Sequence, residues 1–501
     1  MARKEFLDYV WKYCIEPQLG YSFSLNHTLP YSVIAVQEAN LATRWNPLYW
    51  HCACLCVNAG NYASDLGGED EEEESASVDV EEVADEETAD KKEKRVAPNY
   101  TKIAKAIADA QHSGVKIELP DINNAQVDFV PDVKDNSIYY SLQAVTAVGV
   151  DLLNKIMENR PFSSLEDFID RVSPTFSQML GLIKAGCFNN MCKKTQRGVL
   201  TQFLQLEADK RFPIKEKLTA VQLKKMLDLG WKPAEFLDEI RVFKFKKYID
   251  AKQNDAANKR YVLSEEQCQK FFQTFIEPKL NMVKNEYEIL PGGAIGVKAS
   301  ALKRVHDGYI QKVVDFLNTE EGRKAFQNMV QGDFIKDTTE RYFYGSESRW
   351  EMETMSFYYS GHELESVNAG LYGIVNFDTL PEIGDTSVHA IAGTVVGADN
   401  TKHIVTVLTK YGIVSVKFFG ETYARFNKKI STIDPETKKK TVIDDTWFKR
   451  GTKLIFHGQR RENMFYCKGL KTTYGVRYAG LIEDIHTDGT LDIRYRRASV
   501  K

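Results

Sequence analysis

Residues 20–31, GYSFSLNHTLPY, combine one histidine and three aromatic rings with Gly, Ser and Asn. This composition is typical of a loop, because small and turn-forming residues favour irregular backbone. The loop opens a long amphipathic helix, for which Thr28 is a candidate N-cap and Pro30 a residue of the first turn. Helical spacing predicts one buried face of that helix, formed by Tyr31, Ile34, Ala35, Leu41, Ala42 and Trp45. The composition indicates a binding loop and leaves its ligand open.

A second chemical candidate is the segment HCACLCVNAG, in which Cys52, Cys54 and Cys56 alternate beside His51. Thiolates at this spacing could bind a metal, but the sequence has no second Cys/His pair with zinc-type spacing. The segment follows Asn46-Pro47, which is a helix-start signal. We therefore predict buried helix cysteines, keep a ligand cluster as the alternative, and assign no metal site.

Two tight turns of small residues connect predicted helices between residues 142 and 191, at Ala147-Val148-Gly149 and at Ala185-Gly186. Paired helix-hairpin-helix units have this pattern, and their backbone N–H groups at helix N-termini suit a phosphate oxygen. The predicted contacts to duplex DNA are Thr146, Gly149, Lys155, Lys184 and Gly186.

From about residue 385 the apolar and polar residues alternate with period 2, interrupted by turn signals. Four or five short strands in about 90 residues suit a small barrel of the OB type. Basic and aromatic residues are interleaved here, which favours binding of single-stranded nucleic acid through stacking and phosphate contacts. The predicted contacts are Lys417, Arg425, Trp447, Lys449, Arg450, Arg460 and Arg461.

The charge of the chain is uneven. The 501 residues have a net charge of −4, yet residues 65–90 hold 14 Asp/Glu and no Lys/Arg. The remaining residues contain 66 basic against 56 acidic side chains, a net charge of +10. The acidic run is predicted to be a solvated, disordered insertion, with a DNA-shielding role as the alternative. No membrane span or signal peptide is evident, so we expect a cytoplasmic protein, bacterial or in a phage-infected cell.

Five ordered segments then resemble the C-terminal half of the bacterial DNA polymerase III alpha subunit, the C-family replicative polymerase, especially its phage versions. They are residues 20–55 (from GYSFSLNHTLPY to HCACL), ELPDINNAQVDF, SLQAVTAVGVDLLNKIMENRPFSSLEDFIDR, LIKAGCF and FYYSGHEL. The resemblance implies that Ser24, His27 and Tyr31 lie in the fingers beside the incoming dNTP. It also implies a clamp-binding peptide at Gln331, Asp333 and Phe334. Family members commonly have Asn and Lys at positions 24 and 25, and Gly at position 147.

The resemblance also implies what catalysis would need. In this family the Mg²⁺-binding aspartates lie in a palm domain upstream of the fingers loop, and nucleotidyl transfer needs two metal ions. Only 19 residues precede Gly20, with Asp8 as their one aspartate. We therefore expect a split or truncated DNA-directed DNA polymerase with no catalytic residue here, inactive without a palm- and PHP-bearing chain. The alternatives are a non-catalytic DNA-binding or clamp-adaptor protein, and a fragment of a longer chain.

The expected fold class is multidomain α+β, with mostly helical fingers and a tandem helix-hairpin-helix region followed by a small OB-fold barrel. The expected domains are fingers (1–64), a disordered acidic insertion (65–97), a fingers tail (98–135), tandem helix-hairpin-helix (136–195), a helical linker region with the clamp-binding peptide (196–384), an OB fold (385–475) and a C-terminal tail (476–501). The expected partners are primer-template DNA, dNTP, the palm-bearing chain and a sliding clamp.

Overall fold

The computed structural model describes residues 2–12, 16, 25–60, 98–146, 148–255, 258–382, 384, 386–433, 440–473 and 475–496. The chain divides into two compact units. Unit 1 consists of residues 1–199 and 345–501, and unit 2 consists of residues 200–344. Unit 2 is therefore an insertion in the sequence of unit 1. The acidic run at residues 65–90 lies outside the described residues.

Helices occur in both units. They are α1 (Ala2–Val10), α2 (Leu25–Arg44), α3 (Pro47–Asn58), α4 (Tyr100–His112), α5 (Val150–Asn159), α6 (Leu165–Val172), α7 (Phe176–Lys184), α8 (Asn189–Cys192), α9 (Gln196–Arg211), α10 (Ala220–Asp228), α11 (Leu237–Lys252), α12 (Glu266–Phe271), α13 (Ala299–Leu317), α14 (Glu320–Tyr342), α15 (Glu347–Met355), α16 (Ala369–Tyr372) and α17 (Gly420–Phe426).

The strands are concentrated in the C-terminal part of unit 1. They are β1 (Lys116–Glu118), β2 (Val130–Asp132), β3 (Ser137–Tyr139), β4 (Asn254–Asp255), β5 (Arg260–Leu263), β6 (Tyr287–Ile289), β7 (Ile295–Lys298), β8 (His389–Asp399), β9 (Ile404–Thr409), β10 (Gly412–Lys417), β11 (Ile430–Ile433), β12 (Lys440–Asp444), β13 (Lys453–Arg461), β14 (Met464–Cys467), β15 (Leu470–Thr472), β16 (Gly475–Arg477), β17 (Ala479–Ile485) and β18 (Leu491–Tyr495).

Helix α2 differs from the prediction at its start and on its surface. It begins at Leu25, so Thr28 is not its N-cap, and Pro30 lies inside the helix, where its missing N–H removes a backbone hydrogen bond. The exposed fractions of Tyr31, Ile34 and Trp45 are 60%, 47% and 68%. The predicted buried face is therefore wrong, because these side chains are exposed.

Helix α3 begins as the sequence predicts. Asn46 is its N-cap, with a side chain that accepts a backbone N–H two residues later at 3.0 Å, and Pro47 is the first helical residue. One turn apart on this helix, Cys52 and Cys56 both donate their thiols to the carbonyl oxygen of Phe129, at 3.3 and 3.4 Å. The thiols therefore attach α3 to the segment that precedes β2.

Helices α5 to α8 form a compact layer beside the small sheet β1-β3-β2. Its core contains three phenylalanine rings in edge-to-face contact. Phe168 lies 4.9 Å from Phe162 and 5.0 Å from Phe188 between ring centroids, and all three are at most 4% exposed. This geometry is favourable for aromatic pairs, so the short helices are fixed relative to one another by their side chains.

Strands β8, β9, β10, β13 and β14 close into a five-stranded barrel. Strand β8 pairs antiparallel with β9 and β13, and β9 pairs with β10. Strand β14 closes the ring by pairing parallel with β10 and antiparallel with β13. Helix α17 follows β10 in the sequence. This is the topology of an OB fold, and the predicted fold class is confirmed.

The barrel has an apolar interior and a second apolar layer on one outer side. Val405, Val407 and Val416 on alternate strand positions are fully buried inside. Outside, Leu364 and Ile455 pack with the added strands β17 and β18, which extend the sheet beyond β13. The sheet thus continues through Tyr495.

Unit 2 has its own cores. Its sheet has the order β4-β5-β7-β6, and α11, α12 and α13 contribute side chains to a cluster with β5 and β7. Helices α10, α13 and α14 form a second cluster around Leu223, Val313 and Phe326. The sequence interpretation of residues 196–330 as mostly helical omitted this sheet.

Candidate nucleic-acid interface

The first hairpin leads into the exposed N-terminus of α5. Gly149 is the N-cap residue, no side chain caps the helix, and Gly149, Val150 and Asp151 are exposed. The first backbone N–H groups of a helix lack intrahelical partners and form the positive end of its dipole. This end therefore suits a backbone phosphate, although Asp151 brings one negative charge to it. Lys155 is exposed on the same helix.

Thr146 and Arg450, which were predicted to contact duplex and single-stranded DNA, contact each other instead. Arg450 Nη2 donates to Thr146 Oγ1 at 3.2 Å and to the carbonyl oxygen of Glu353 at 3.0 Å, and Nη1 donates to Ser356 Oγ at 3.2 Å. Its guanidinium carbon also lies 4.2 Å from the ring centroid of Tyr100. Arg450 therefore connects the barrel to the first hairpin, α15 and α4, and its guanidinium N–H groups donate to protein acceptors.

The second hairpin is buried. Gly186 has a φ of 75°, which favours glycine, and a Cβ there would lie 2.8 Å from Leu119 Cδ1 and would displace that side chain. Lys184 forms an ion pair with Glu353 at 2.9 Å, with 15% of its side chain exposed. The predicted duplex contacts at Lys184 and Gly186 thus lie against other protein groups, because this hairpin packs onto the segment around residue 119.

The outer surface of the barrel carries a row of side chains that could contact a single strand. Lys417 on β10 pairs with Tyr466 on β14, which pairs with Gln459 on β13. Side chains at paired positions share one face, and their neighbour Phe465 points into the core. The guanidinium carbon of Arg461 lies 5.2 Å from the ring centroid of Tyr466. We call Lys417, Gln459, Arg461, Tyr466 and Lys468 the barrel outer face.

Two polar atoms of β13, one in this row and one two positions before it, lack hydrogen-bond partners within the described structure. They are His457 Nε2 and Gln459 Nε2, and both side chains are 5% exposed. Burial, with a smaller contribution from Arg477, lowers the pKa of His457 to about 4, so its ring is neutral at pH 7. Lys468 Nζ donates to Gln459 Oε1 at 3.4 Å. The barrel outer face therefore combines a ring, cations and amide groups.

Trp447 and Arg460 do not have the exposure that the sequence interpretation required. Trp447 is 1% exposed within the barrel core, so it cannot stack on a base. Arg460 donates to the carbonyl oxygens of Phe377, Asp378 and Leu380 and to Glu382. Its side chain is 10% exposed. These two predictions are corrected, because both side chains hold the barrel together.

The remaining predicted cations are spread over different surfaces. Lys417 lies on the barrel outer face and donates to the carbonyl oxygen of Lys402. Arg425 on α17 lies 5.8 Å from the ring centroid of Tyr478. Lys449 is exposed and lies 3.9 Å from a carboxylate oxygen of Asp445. The structure therefore brings together only Lys417 and Arg461 of the predicted single-strand contacts.

Sequence reasoning missed Tyr466 and Gln459. Tyr466 is flanked by the buried Phe465 and Cys467, so alternation was the available signal there, whereas Gln459 ends a continuous run of buried residues and has no such signal. The sequence alone did not show which of the adjacent residues Phe465 and Tyr466 points inward, because a shift of one position exchanges the two faces of a strand.

Comparison with known proteins shows what the sequence is similar to. Residues 114–198 match the helix-hairpin-helix motif family. The chain is 34% identical over 516 aligned residues to the probable DNA polymerase YorL of Bacillus subtilis (strain 168) and to the DNA-directed DNA polymerase of Bacillus phage SPbeta. This match covers 99% of the chain. The DNA polymerase III subunit alpha of Bacillus subtilis is 29% identical over 30% of the chain and 10% of that protein. The chain is therefore similar over nearly its whole length to proteins named as DNA polymerases, and over part of it to DNA polymerase III alpha subunits.

The relationship is partial in length. The chain spans 36% of the two relatives that it matches almost throughout. Of the fingers residues that the C-family resemblance implies, Ser24 lies outside the described residues, while His27 falls in the first turn of α2. Tyr31 follows His27 by four positions in the same helix.

The clamp-binding peptide of the C-family is expected at Gln331, Asp333 and Phe334, which lie within the long helix α14. Gln331 is 6% exposed, and its amide donates to Asp209 Oδ1 at 2.9 Å. The ring of Phe334 lies 5.7 Å from that of Phe212. An extended peptide at this position would require α14 to unwind and these contacts to break.

In the described part of the chain, one group of side chains has clustered metal-ligand atoms. It consists of Asp484, His486 and Asp492, all exposed at the β17–β18 hairpin. An exposed cluster that includes histidine does not fit the rigid, all-oxygen site that Mg²⁺ prefers. No helix in the described ranges is long and apolar enough to cross a lipid bilayer.

Proposed function

We propose that this chain is the DNA-holding part of a replicative C-family DNA polymerase. The observation that carries the proposal is the barrel outer face, where the Tyr466 ring lies between the Lys417 and Arg461 positions. A ring with flanking cations on an OB-fold surface binds a single strand by stacking and phosphate contacts. The proposed ligand of this face is the single-stranded template.

The duplex and the incoming dNTP are assigned to other elements. The uncapped, exposed N-terminus of α5 supports duplex binding, because its N–H groups can bind a backbone phosphate. Lys155 adds a cation on the same helix. The dNTP is assigned to Ser24, His27 and Tyr31, on the resemblance to the fingers and on the four-residue spacing of the latter two.

Nucleotidyl transfer requires carboxylates that the described residues do not group together. We propose that a palm supplies them with Mg²⁺, either on a separate polypeptide or on a longer chain. The side of α2 that carries Leu29 and Val36 supports a docking role, because these two apolar side chains, seven positions apart and therefore on one side of the helix, are 60% and 61% exposed. The palm-bearing polypeptide, which a bacterial cell or phage-infected cell would supply in its cytoplasm, would cover this apolar surface.

Primer extension tests the proposal. The chain is assayed with Mg²⁺, dNTPs and a primer-template, first alone and then with the palm-bearing polypeptide from the same source. We expect primer extension only when both polypeptides are present. Substituting Val36→Asp, which places a charge on the exposed side of α2, should abolish extension in the mixture and leave binding to single-stranded DNA unchanged. Extension by the chain alone, or none in the mixture, would contradict the proposal.

A non-catalytic DNA-binding or clamp-adaptor protein is the second candidate. One observation favours it. The one metal-ligand cluster among the described residues is exposed and contains a histidine, unlike the carboxylate site that holds two metal ions in a polymerase. Under this alternative the chain would bind DNA with its full affinity, and no palm-bearing polypeptide would restore extension. A pull-down with a sliding clamp distinguishes a clamp adaptor from a protein that binds DNA alone. In the clamp-adaptor case, Phe334→Ala should abolish the pull-down.

A further inference from the structure

A cavity of about 350 Å³ lies in unit 1, and none of the residues predicted to contact DNA, dNTP or a clamp lines it. Three elements line it: α4, the segment that follows α15, and the hairpin between β9 and β10. This volume falls within the range of ligand sites, which is about 300 to 1,000 Å³. The cavity is therefore large enough for one planar ring and its substituents.

The inner wall of the cavity is apolar and neutral. Phe357 is 2% exposed, and Ile107 and Ala108 of α4 are buried beside it. The polar atoms of this wall are already bonded. His362 Nε2 donates to the carbonyl oxygen of Leu408 at 3.0 Å, and Nδ1 accepts the Leu364 N–H at 3.0 Å. Because its polar groups are used, the inner wall offers a surface for stacking and van der Waals contact.

Tyr358, which also lines the cavity, is fixed in the same way. Its hydroxyl lies 2.7 Å from Thr394 Oγ1 and 3.1 Å from a carboxylate oxygen of Glu363. Burial lowers the pKa of His362, so the imidazole carries no charge at pH 7. A charged ligand group would find no partner at depth, and it would remain at the opening.

The opening carries groups of a different kind. Gln111, His112 and Tyr411 are exposed there, and Lys410 Nζ lies 5.1 Å from the ring centroid of Tyr411. His112 Nδ1 bonds to the carbonyl oxygen of Ala108 at 3.1 Å, which makes Nδ1 the donor and leaves Nε2 as an acceptor. Gly412 keeps this edge open, because a Cβ there would lie 3.2 Å from His112 Cε1.

We propose that this cavity binds one unstacked nucleobase, with Lys410 on the adjacent phosphate. The choice of nucleic acid rests on the proposed function, and the rest follows from the cavity. An apolar, aromatic slot accepts the face of any base. The amide of Gln111 and Nε2 of His112 would hydrogen-bond to the polar edge of the base, and the ammonium of Lys410 would pair with the adjacent phosphate. Strand β10 connects this opening to Lys417 on the barrel outer face, ~17 Å along the strand.

The first test uses the full chain and the oligonucleotide dT16 with a single 5-iodouracil, which forms adducts with nearby aromatic side chains on irradiation. We expect adducts on the peptide that contains Tyr411. Ala108→Leu, which fills the cavity, should lower the adduct yield about tenfold, as expected when one stacked base is lost. Lys410→Ala, a surface change that leaves the core intact, should weaken dT16 binding by about threefold. Lys105→Ala on the solvent side of α4 is the matched control.

The outcomes separate this inference from the proposed function. No binding of dT16 by the wild type would overturn both. Binding with adducts only on the Tyr466 peptide, unchanged in Ala108→Leu and Lys410→Ala, would overturn the cavity alone. Thymidine 5′-monophosphate is the second probe. If millimolar thymidine 5′-monophosphate abolishes the Tyr411 adduct, the cavity binds a free nucleotide. If the adduct persists, the cavity binds a base only within a strand. Either result presupposes that the Tyr411 adduct forms, and either supports the inference.

Discussion

Adjacent aromatic residues in this barrel have opposite roles. Phe465 is fully buried in the core, whereas Tyr466 is partly exposed on the barrel outer face beside Arg461. Trp447, the largest ring of the region, is also internal, where Arg496 lies 4.8 Å from its centroid. Ring size and nearby cations therefore do not identify a nucleic-acid contact, because cations also cover core aromatics. The pairing register of the strands shows which of these rings lies on the outer face and which lies in the core.

Tyr466→Ala should weaken binding to a short single-stranded oligonucleotide by about 1 to 3 kcal/mol, because one base loses its stacking partner. Tyr466→Phe should bind as the wild type does, since it keeps the ring. Fluorescence anisotropy with labelled dT16 measures both. A loss in Tyr466→Phe equal to that in Tyr466→Ala would assign the effect to the hydroxyl and refute stacking.

Arg461 and Arg460 are neighbours with different expected effects. Arg461→Ala should reduce the slope of log affinity against log salt by about 0.7, the value for one phosphate contact on a single strand. Arg460→Ala should leave the slope unchanged and lower the stability of the barrel by about 1 to 3 kcal/mol, because five acceptors lose their donor. Salt titrations and urea unfolding distinguish the two. A reduced slope in Arg460→Ala would place that side chain on DNA.

His457 should make the barrel less stable in acid. Its pKa is lowered from 6.5 to about 4 by burial, so the unfolded chain binds the proton more tightly than the folded one. The stability from the neutral ring is complete above pH 6.5 and is lost as the pH falls toward 4. Between pH 7 and 5 the wild type should lose about 2 kcal/mol more than His457→Gln in urea unfolding. His362, whose pKa is also lowered, is present in both proteins and cancels. Equal losses would contradict the assignment.

At the scale of elements, the sequence predicted best where a local signal agreed with the packing. The Asn46-Pro47 start of α3 and the alternating strands of the barrel are both confirmed. Helix α2 was mispredicted at Thr28, since a capping residue is also allowed inside a helix, and burial of its apolar side depends on a partner that the periodicity does not reveal.

The candidate site was less predictable than the fold. Lys417 and Arg461 were identified, but Arg450 and Lys184 bond to groups far away in the sequence, at Glu353 and Ser356. A basic residue on a surface and one that bridges two elements have the same local sequence pattern. Only the tertiary contacts distinguish them, so composition overestimates the number of free cations.

Arg450→Ala tests the bridging role of that residue. Removing its hydrogen bonds to Thr146, Ser356 and Glu353, and its contact with Tyr100, should cost about 3 kcal/mol. For a unit of this size the unfolding midpoint should fall by about 4 °C. Lys449→Ala, which removes an exposed ion pair next to it, should change the midpoint by less than about 1.5 °C. Equal midpoints in the two variants would show that Arg450 does not join the elements.

At the scale of the whole molecule, unit 2 interrupts unit 1 at a point where the two cut ends are already held together. The Arg197 N–H donates to Glu347 Oε1 at 3.0 Å, and the guanidinium carbon of Arg197 lies 4.8 Å from the ring centroid of Trp350. Both contacts are within unit 1. Because the ends meet without unit 2, the insertion is not needed to bring the helix-hairpin-helix region and the barrel together in the chain.

Replacing residues 200–344 with a short Gly/Ser linker should therefore leave unit 1 folded. The variant should bind dT16 within about twofold of the full chain and with the same salt slope, since α5 and the barrel outer face both belong to unit 1. Thermal unfolding and anisotropy over a range of salt concentrations measure these properties. A folded variant with a shallower salt slope would show that unit 2 contributes cations to the bound strand. In that case the exposed basic residues of α11, Arg241 and Lys244, would be the first to substitute.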